Sequence, residues 1–524
     1  MTSFQTRAYS AGLIATLGLV LSVLIGLAIG GGAAALQFSD PGPIIRYGVP
    51  LAKALMNIAM AISIGSLVFA AFAAGDKSAV LRKLLNLTSA AAAVWAIAAS
   101  VHFVLSFVSV SGAAFSLEES FSQGLWVYAT EIELGISLAL NLAAAFAISI
   151  LALAISSLTA TALLTALGLG SLIPLALIGH AAGTANHSLA VNSLGLHLVG
   201  IVIWVGGLIA LFAIKQDVLK DAKPMVGRYS SLALASFVIV GVSGLGSSYV
   251  RVPDAAGLFS PYGQMLFIKV VFLVILGAFG AVYRTRILSK ISEKGSFFKL
   301  ALLEIFIMGA AIGMGTALAR TAPPVKQGEF IVPTPAQLLT GEPLPPELTM
   351  VTFFTQWKLD ILWALIALWA IGAYLVAVRR LKARGDSWPI ARTISWVFGM
   401  LLLIFVTSGS LNVYQEYLFS IHMVAHMFLT MAIPVLLVPG APVTLLTRAV
   451  QKRADSSRGV REWVLWAVHT KYAEFVSHPL VAAVNFAGSL VVFYFTPMFE
   501  WATREHIGHQ WMIVHFLITG YLFV

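Results

Sequence analysis

Apolar runs long enough to cross a bilayer recur fourteen times along this 524-residue chain, and no other feature constrains it so tightly. They fall near 11–34, 49–74, 85–111, 134–156, 159–181, 191–214, 229–250, 262–283, 297–319, 356–378, 391–411, 419–439, 478–497 and 508–524. A helix needs about 20 residues to span the hydrocarbon, where the backbone must satisfy its own hydrogen bonds. The chain is therefore expected to be all-α: a polytopic integral membrane protein of about fourteen transmembrane helices. Its 10% charged residues agree, since soluble domains carry about 25%. There is no cysteine, which excludes disulfides, thiolate metal sites and iron–sulfur clusters. Any metal must be held by His, Met, carboxylate or backbone.

The placement of charge orients the chain. With the N-terminus in the cytoplasm, only Arg46, Arg251, Arg320, Lys326 and Arg504 fall in outer connections. Lys53, Lys269 and Lys358 lie in or at the edge of spans, and every other Lys and Arg of the 32 is inner. The first run is longer than the 7–15 residues of a signal-peptide core and reads as a retained span. The last run stops without a polar flank, so the native protein is expected to continue beyond Val524. The Pro-rich segment 320–355 cannot cross a membrane and reads as an outer linker. It divides a nine-helix bundle, 1–319, from a second bundle of about five helices, 356–524. The net charge of +10 is a matter of orientation and lipid headgroups, and no nucleic-acid partner is expected. No phosphate-binding G-x-x-x-x-G-K-[ST] loop is present, which speaks against a primary pump driven by this chain alone.

This topology sorts the eleven histidines. His180, His187 and His197 bracket the outer connection before the sixth span. His422 and His426 open the twelfth span from outside, and His506, His509 and His515 open the fourteenth. His469 and His478 face inward, and His102 lies within the third span. In "FSIHMVAHMFLTMAIP" the i, i+4 spacing of His422 and His426 stacks two imidazoles on one helix face, with Met423 and Met427 on the next stripe. Imidazole suits copper, zinc, iron and nickel, and thioether favours Cu(I). His422 and His426 with His506, His509 and His515 are expected to close a metal site; hydrogen bonding between helices is the plainer alternative. His180, His187 and His197 are candidates for an outer metal-binding surface, and Gly200, Gly206 and Gly207 permit close helix approach beside them. Lys269, Glu304 and Asp360 are ionisable groups at membrane depth or its edge, where function is the default reading.

At these residues the chain resembles two families joined end to end. From about Gly179 to Arg286, "LHLVGIVIWVGGL", "RYSSLALASFVIVGVSG" and "YGQMLFIK" are similar to the CopD copper-resistance family. From about Phe353 to Val524, "YLFSIHMVAHMFLTMAIPVLLVPGAPVTLL" and "TPMFEWATREHIGHQWMIVHFLITGYLFV" resemble the CtaG-type cytochrome c oxidase assembly factors. The resemblance implies a plasma-membrane protein, not an enzyme, whose cargo is copper ions. It implies partners in the lipid bilayer, a haem–copper oxidase subunit or a periplasmic copper chaperone. It also carries His422, His426, His509 and His515 over as copper ligands, with His180, His187 and His197 as weaker candidates. Two other readings stay open on the residues themselves. Histidines on paired helices also ligate haem, as in a b-type cytochrome exchanging electrons with quinone. Lys269, Glu304 and Asp360 would serve a proton-coupled transporter of another solute.

Overall fold

The computed structural model describes residues 3–35, 40–178, 186–214, 222–282, 296–324 and 334–524; His180 and Lys326 lie outside them. Among the described residues twelve helices are long and apolar enough to cross a membrane. They are α1 (Phe4–Gly30), α2 (Pro43–Ala73), α3 (Ala79–Ser111), α4 (Glu133–Ala154), α5 (Leu158–Leu177) and α6 (His187–Ile214). There follow α7 (Pro224–Arg251), α8 (Pro261–Val282), α9 (Leu300–Leu318), α10 (Ile361–Ala383), α11 (Ile390–Tyr414) and α12 (Phe419–Leu437). Two more helices complete the series. Helix α13 (Pro479–Phe495) bends by 75° into the short helix Met498–Arg504, and α14 (His506–Phe523) occupies the final apolar run. Each apolar run thus coincides with one of these helices, and the protein is an all-α polytopic membrane protein. The acidic connection before α4 adds a further helix, Glu119–Glu131, seated by Phe121 and Tyr128 against Phe107 and Phe103.

The chain divides into two compact units. The first comprises Met1–Ala182, Ser193–Gln327 and Asp455–Arg458. The second comprises Gly183–Asn192, Gly328–Ala454 and Gly459–Val524, so that the opening turns of α6 group with α10–α14.

In the first unit small residues set the helix spacing. A Cβ on Gly309 or Gly313 of α9 would strike the carbonyls of Ala15 and Leu19 of α1. Gly65 of α2 and Gly206 of α6 approach in the same way, each meeting the other helix's backbone. In hydrocarbon there is no hydrophobic drive between helices, so such backbone contact carries the association. Buried polar groups are paired across helices: Trp95 donates its indole N–H to Asn141 Oδ1 at 2.9 Å, and the Asn141 amide donates to the Ser171 carbonyl at 3.2 Å.

In the second unit Trp363, Leu403, Leu411, Leu429, Phe493 and Phe516 form a continuous apolar core. Part of the Pro-rich segment groups with this unit. Thr334 caps the helix Pro335–Thr340, a Thr349 capping box starts Met350–Thr355, and Tyr414 Oη donates to the Pro346 carbonyl at 2.8 Å. The proline spacing forbids a long helix, yet caps and carbonyl acceptors still order the segment.

Helix α12 is irregular for a reason visible in its sequence. Pro434 has no N–H to give the carbonyl of Thr430, and its ring crowds that carbonyl. The helix responds with a π-turn over Phe428–Ala432, immediately after His426. Such bulges mark functional positions more often than chance. The Thr430 hydroxyl donates back to the His426 carbonyl at 2.7 Å. The freed Thr430 carbonyl faces Gly520 of α14, where any Cβ would overlap it. Gly520→Ala is therefore expected to force α14 off α12 and cost about 1–3 kcal/mol. Thermal unfolding of purified protein in detergent measures this, and an unchanged midpoint would refute the contact.

Candidate functional site

The π-turn and the Gly520 contact bring the inner faces of α12, α13 and α14 together around His426. That side chain is fully buried. Its Nδ1 lies 2.9 Å from Tyr494 Oη of α13, and its Nε2 lies 2.9 Å from Met512 Sδ of α14. His422, one turn earlier, is 3% exposed, and its ring centroid stands 4.4 Å from that of His426. The His422 ring packs edge-on against Phe499 and Tyr494, and its Nε2 is buried with no hydrogen-bond partner. Phe493 and Phe516 close the shell round His426. An unpartnered nitrogen in such a setting costs roughly 1–3 kcal/mol unless something binds it.

Among the described residues no group of three or more His, Asp or Glu side chains is placed to hold a metal ion. The donor set here is two imidazoles and a thioether, which suits a soft ion. Metal–nitrogen and metal–sulfur bonds of about 2.0 and 2.3 Å place the two donors roughly 3.5 Å apart at a tetrahedral angle. The observed 2.9 Å between His426 and Met512 opens to that with a shift of less than an ångström. It leaves no slot for a porphyrin between them.

The remaining candidates are distributed as follows. His509 lies one turn after His506 and one turn before Met512 on α14. His506 bonds through Nε2 to Asn192 Oδ1 at 2.9 Å, and its ring meets that of His187 edge-on with centroids 6.0 Å apart. His515 turns to another face of α14. It stacks on Trp511 at 4.7 Å and lines a separate cavity of about 380 Å³ with Val484, Asn485 and Met498. Met423 and Met427 are half-buried, and the methionine that meets the histidine pair is Met512. His197 lies in the first unit, bonded through Nδ1 to Ser243 Oγ at 3.1 Å. There Lys269 packs against Gly315, and Glu304 is buried within α9. His469 is exposed, its Nδ1 against the Leu465 carbonyl at 2.7 Å.

Around the outer end of α14 lies a polar network that spacing rules could not have found. Asp360 caps α10, accepting from the N–H groups of Leu362 and Trp363. Its carboxylate also accepts from the amides of Asn192 at 3.0 Å and Gln510 at 2.9 Å. Its own N–H donates to Ser408 Oγ. Burial raises its carboxyl above the ordinary value, and the four donors oppose that rise. Nearby, Lys358 is held by Glu416 at 3.4 Å and Glu342 at 3.8 Å. Burial likewise raises Glu416, against the pull of Lys358.

Residues 44–190 match the family described as copper resistance protein D-like, N-terminal domain, and residues 223–318 match copper resistance protein D. Residues 372–524 match the cytochrome c oxidase caa3 assembly factor family, CtaG. The chain therefore joins a CopD-type membrane region to a CtaG-type one. An uncharacterised protein of Mycobacterium leprae is 40% identical over 184 residues, covering 35% of this chain and 28% of its own. One of Mycobacterium bovis is 39% identical over 223 residues, covering 40% of this chain and 34% of its own. The copper transport protein CutJ of Bacillus subtilis is 33% identical over 118 residues, 21% of this chain and 22% of its own. The chain thus spans about a third or less of the length of these relatives in the matched regions. No solved structure matches.

Asp360→Ala would strand the Asn192 and Gln510 amides and uncap α10. It is expected to lower stability by about 3–7 kcal/mol, summing an N-cap of about 1 kcal/mol with two stranded groups of about 1–3 kcal/mol each. Asp360→Asn, which retains the cap acceptor, should lose less in the same thermal-unfolding assay; equal losses would show that the network contributes nothing beyond the cap.

Proposed function

We propose that this protein is a copper carrier of the plasma membrane rather than an enzyme. It holds Cu(I) as cargo on His426, Met512 and His422 near the outer face and hands it to a haem–copper oxidase subunit or a periplasmic copper chaperone. The observation that carries this reading is the closure of an imidazole nitrogen against a thioether sulfur inside an aromatic shell, beside a second imidazole whose buried Nε2 has no partner. Thioether with imidazole, and no hard ligand, favours Cu(I) over Cu(II) or zinc. The CopD and CtaG matches and the likeness to CutJ support copper as the cargo. The lack of room for a porphyrin between His426 and Met512 favours a bare ion over haem.

Copper leaves such a site by exchange of ligands, without change of charge. His422 is suited to this step because its free nitrogen can take the ion while the His426–Met512 pair relaxes. Tyr494 supports the exchange by holding the His426 ring in place through Nδ1, as outer partners of metal-bound histidines do.

The test is anaerobic Cu(I) loading of purified protein, followed by metal analysis and a visible spectrum. His422→Ala/His426→Ala is expected to lose the copper held at this site, and Met512→Leu to bind it at least tenfold more weakly, with no haem bands in any sample. Copper content unchanged in the double variant would overturn the assignment. Haem absorption lost in that variant would make the protein a cytochrome.

A further inference from the structure

We infer that His187 and His506 form a second, outer copper-capture station, which Asp360 and Asn192 hold in its ligating form and from which the ion steps through His509 to the His422/His426/Met512 site. The inference rests on the copper-carrier reading above. It concerns residues that lie together in the second unit.

The chain of hydrogen bonds starts from a group that can only donate. The Trp363 indole N–H lies 2.8 Å from Gln510 Oε1, which fixes the orientation of the Gln510 amide. Its –NH₂ is then the group 2.9 Å from Asp360 Oδ2. Asp360 accepts at both oxygens, so the Asn192 group facing Oδ1 at 3.0 Å is also –NH₂. The remaining Asn192 oxygen faces His506 Nε2 at 2.9 Å and can only accept. The proton of a neutral His506 is therefore on Nε2, and the lone pair is on Nδ1. This is the carboxylate-anchored arrangement that fixes a histidine as a metal ligand, with an amide inserted between carboxylate and ring.

A partner ring is in place. His187 stands edge-on to His506 with centroids 6.0 Å apart, a separation that admits an ion about 2 Å from a nitrogen of each ring. His187 begins α6, and the preceding N–H, that of Asn186, donates to Glu342 Oε1 at 3.0 Å. Glu342 also pairs with Lys358 at 3.8 Å, and Glu416 with Lys358 at 3.4 Å. His509 lies close to one turn inward on α14, between His506 and Met512 in the helix. Transfer along this series replaces one imidazole by another. The copper keeps its oxidation state throughout.

The experiment compares full-length protein with three variants, titrated anaerobically with Cu(I) against a competing chelator and followed by copper X-ray absorption. Wild type is expected to bind two Cu(I) per chain, and His187→Ala/His506→Ala one, with sulfur in its coordination shell. His422→Ala/His426→Ala is expected to bind one, with nitrogen ligands and no sulfur. Asn192→Leu should weaken the sulfur-free site 10- to 100-fold while leaving the sulfur-containing site intact, which also shows that the variant is folded. Undiminished loading in His187→Ala/His506→Ala would overturn the outer station and leave the inner site standing. Unchanged affinity in Asn192→Leu would overturn the positioning role. Undiminished loading in His422→Ala/His426→Ala would overturn the inner site on which the inference depends.

Discussion

The approach of Gly520 to the carbonyl of Thr430 is the contact on which the second unit's histidine site depends. Pro434 leaves that carbonyl without its helical donor, and the π-turn carries it out toward α14. Only a residue without Cβ lets the two backbones come this close. Once they do, the residue two turns up α14 is committed: Met512 falls on His426. A proline, a threonine and a glycine, none of them a ligand, thus set where the ligands meet.

The same unit shows how a low-dielectric environment forces polar groups into chains. Asn192, Asp360 and Gln510 each have partners, and the bond directions follow from the Trp363 indole, which can only donate, and the Asp360 carboxylate, which accepts. In water such directions would fluctuate. Here a reversed amide would set two acceptors face to face, at a cost of a few kcal/mol. The network ends on an imidazole whose second nitrogen has a lone pair. By contrast, the His422 Nε2 has no protein partner at all.

The candidate site was only partly legible in the sequence. His422 and His426 were readable because a period of four on an apolar helix has one geometric meaning. Met423 and Met427 share that spacing on the next stripe, but spacing says nothing about which stripe a neighbouring helix covers; α13 and α14 cover the histidine face. Met512 carried a signal that went unweighed: it stands three residues after His509, on the same side of α14. His515 is three residues further on and turns away to Trp511. Tyr494, Asn192 and Gln510 left no local trace. Their role depends on α6, α10 and α13 meeting α14, separations of more than a hundred residues in most cases. In the Pro-rich segment, prolines announce the absence of a long helix but not the presence of caps and carbonyl acceptors.

What the sequence determined by itself was the number, length and alternation of the helices, because hydrophobic thickness and charge bias act on each segment locally. It also placed most histidines at the outer ends of helices, which follows once the alternation is known. Tertiary structure decided which of those ends belong together. That choice rests on backbone contact at glycines and on hydrogen bonds between distant residues, and neither leaves a periodic mark in a chain where nearly every helix is apolar all round.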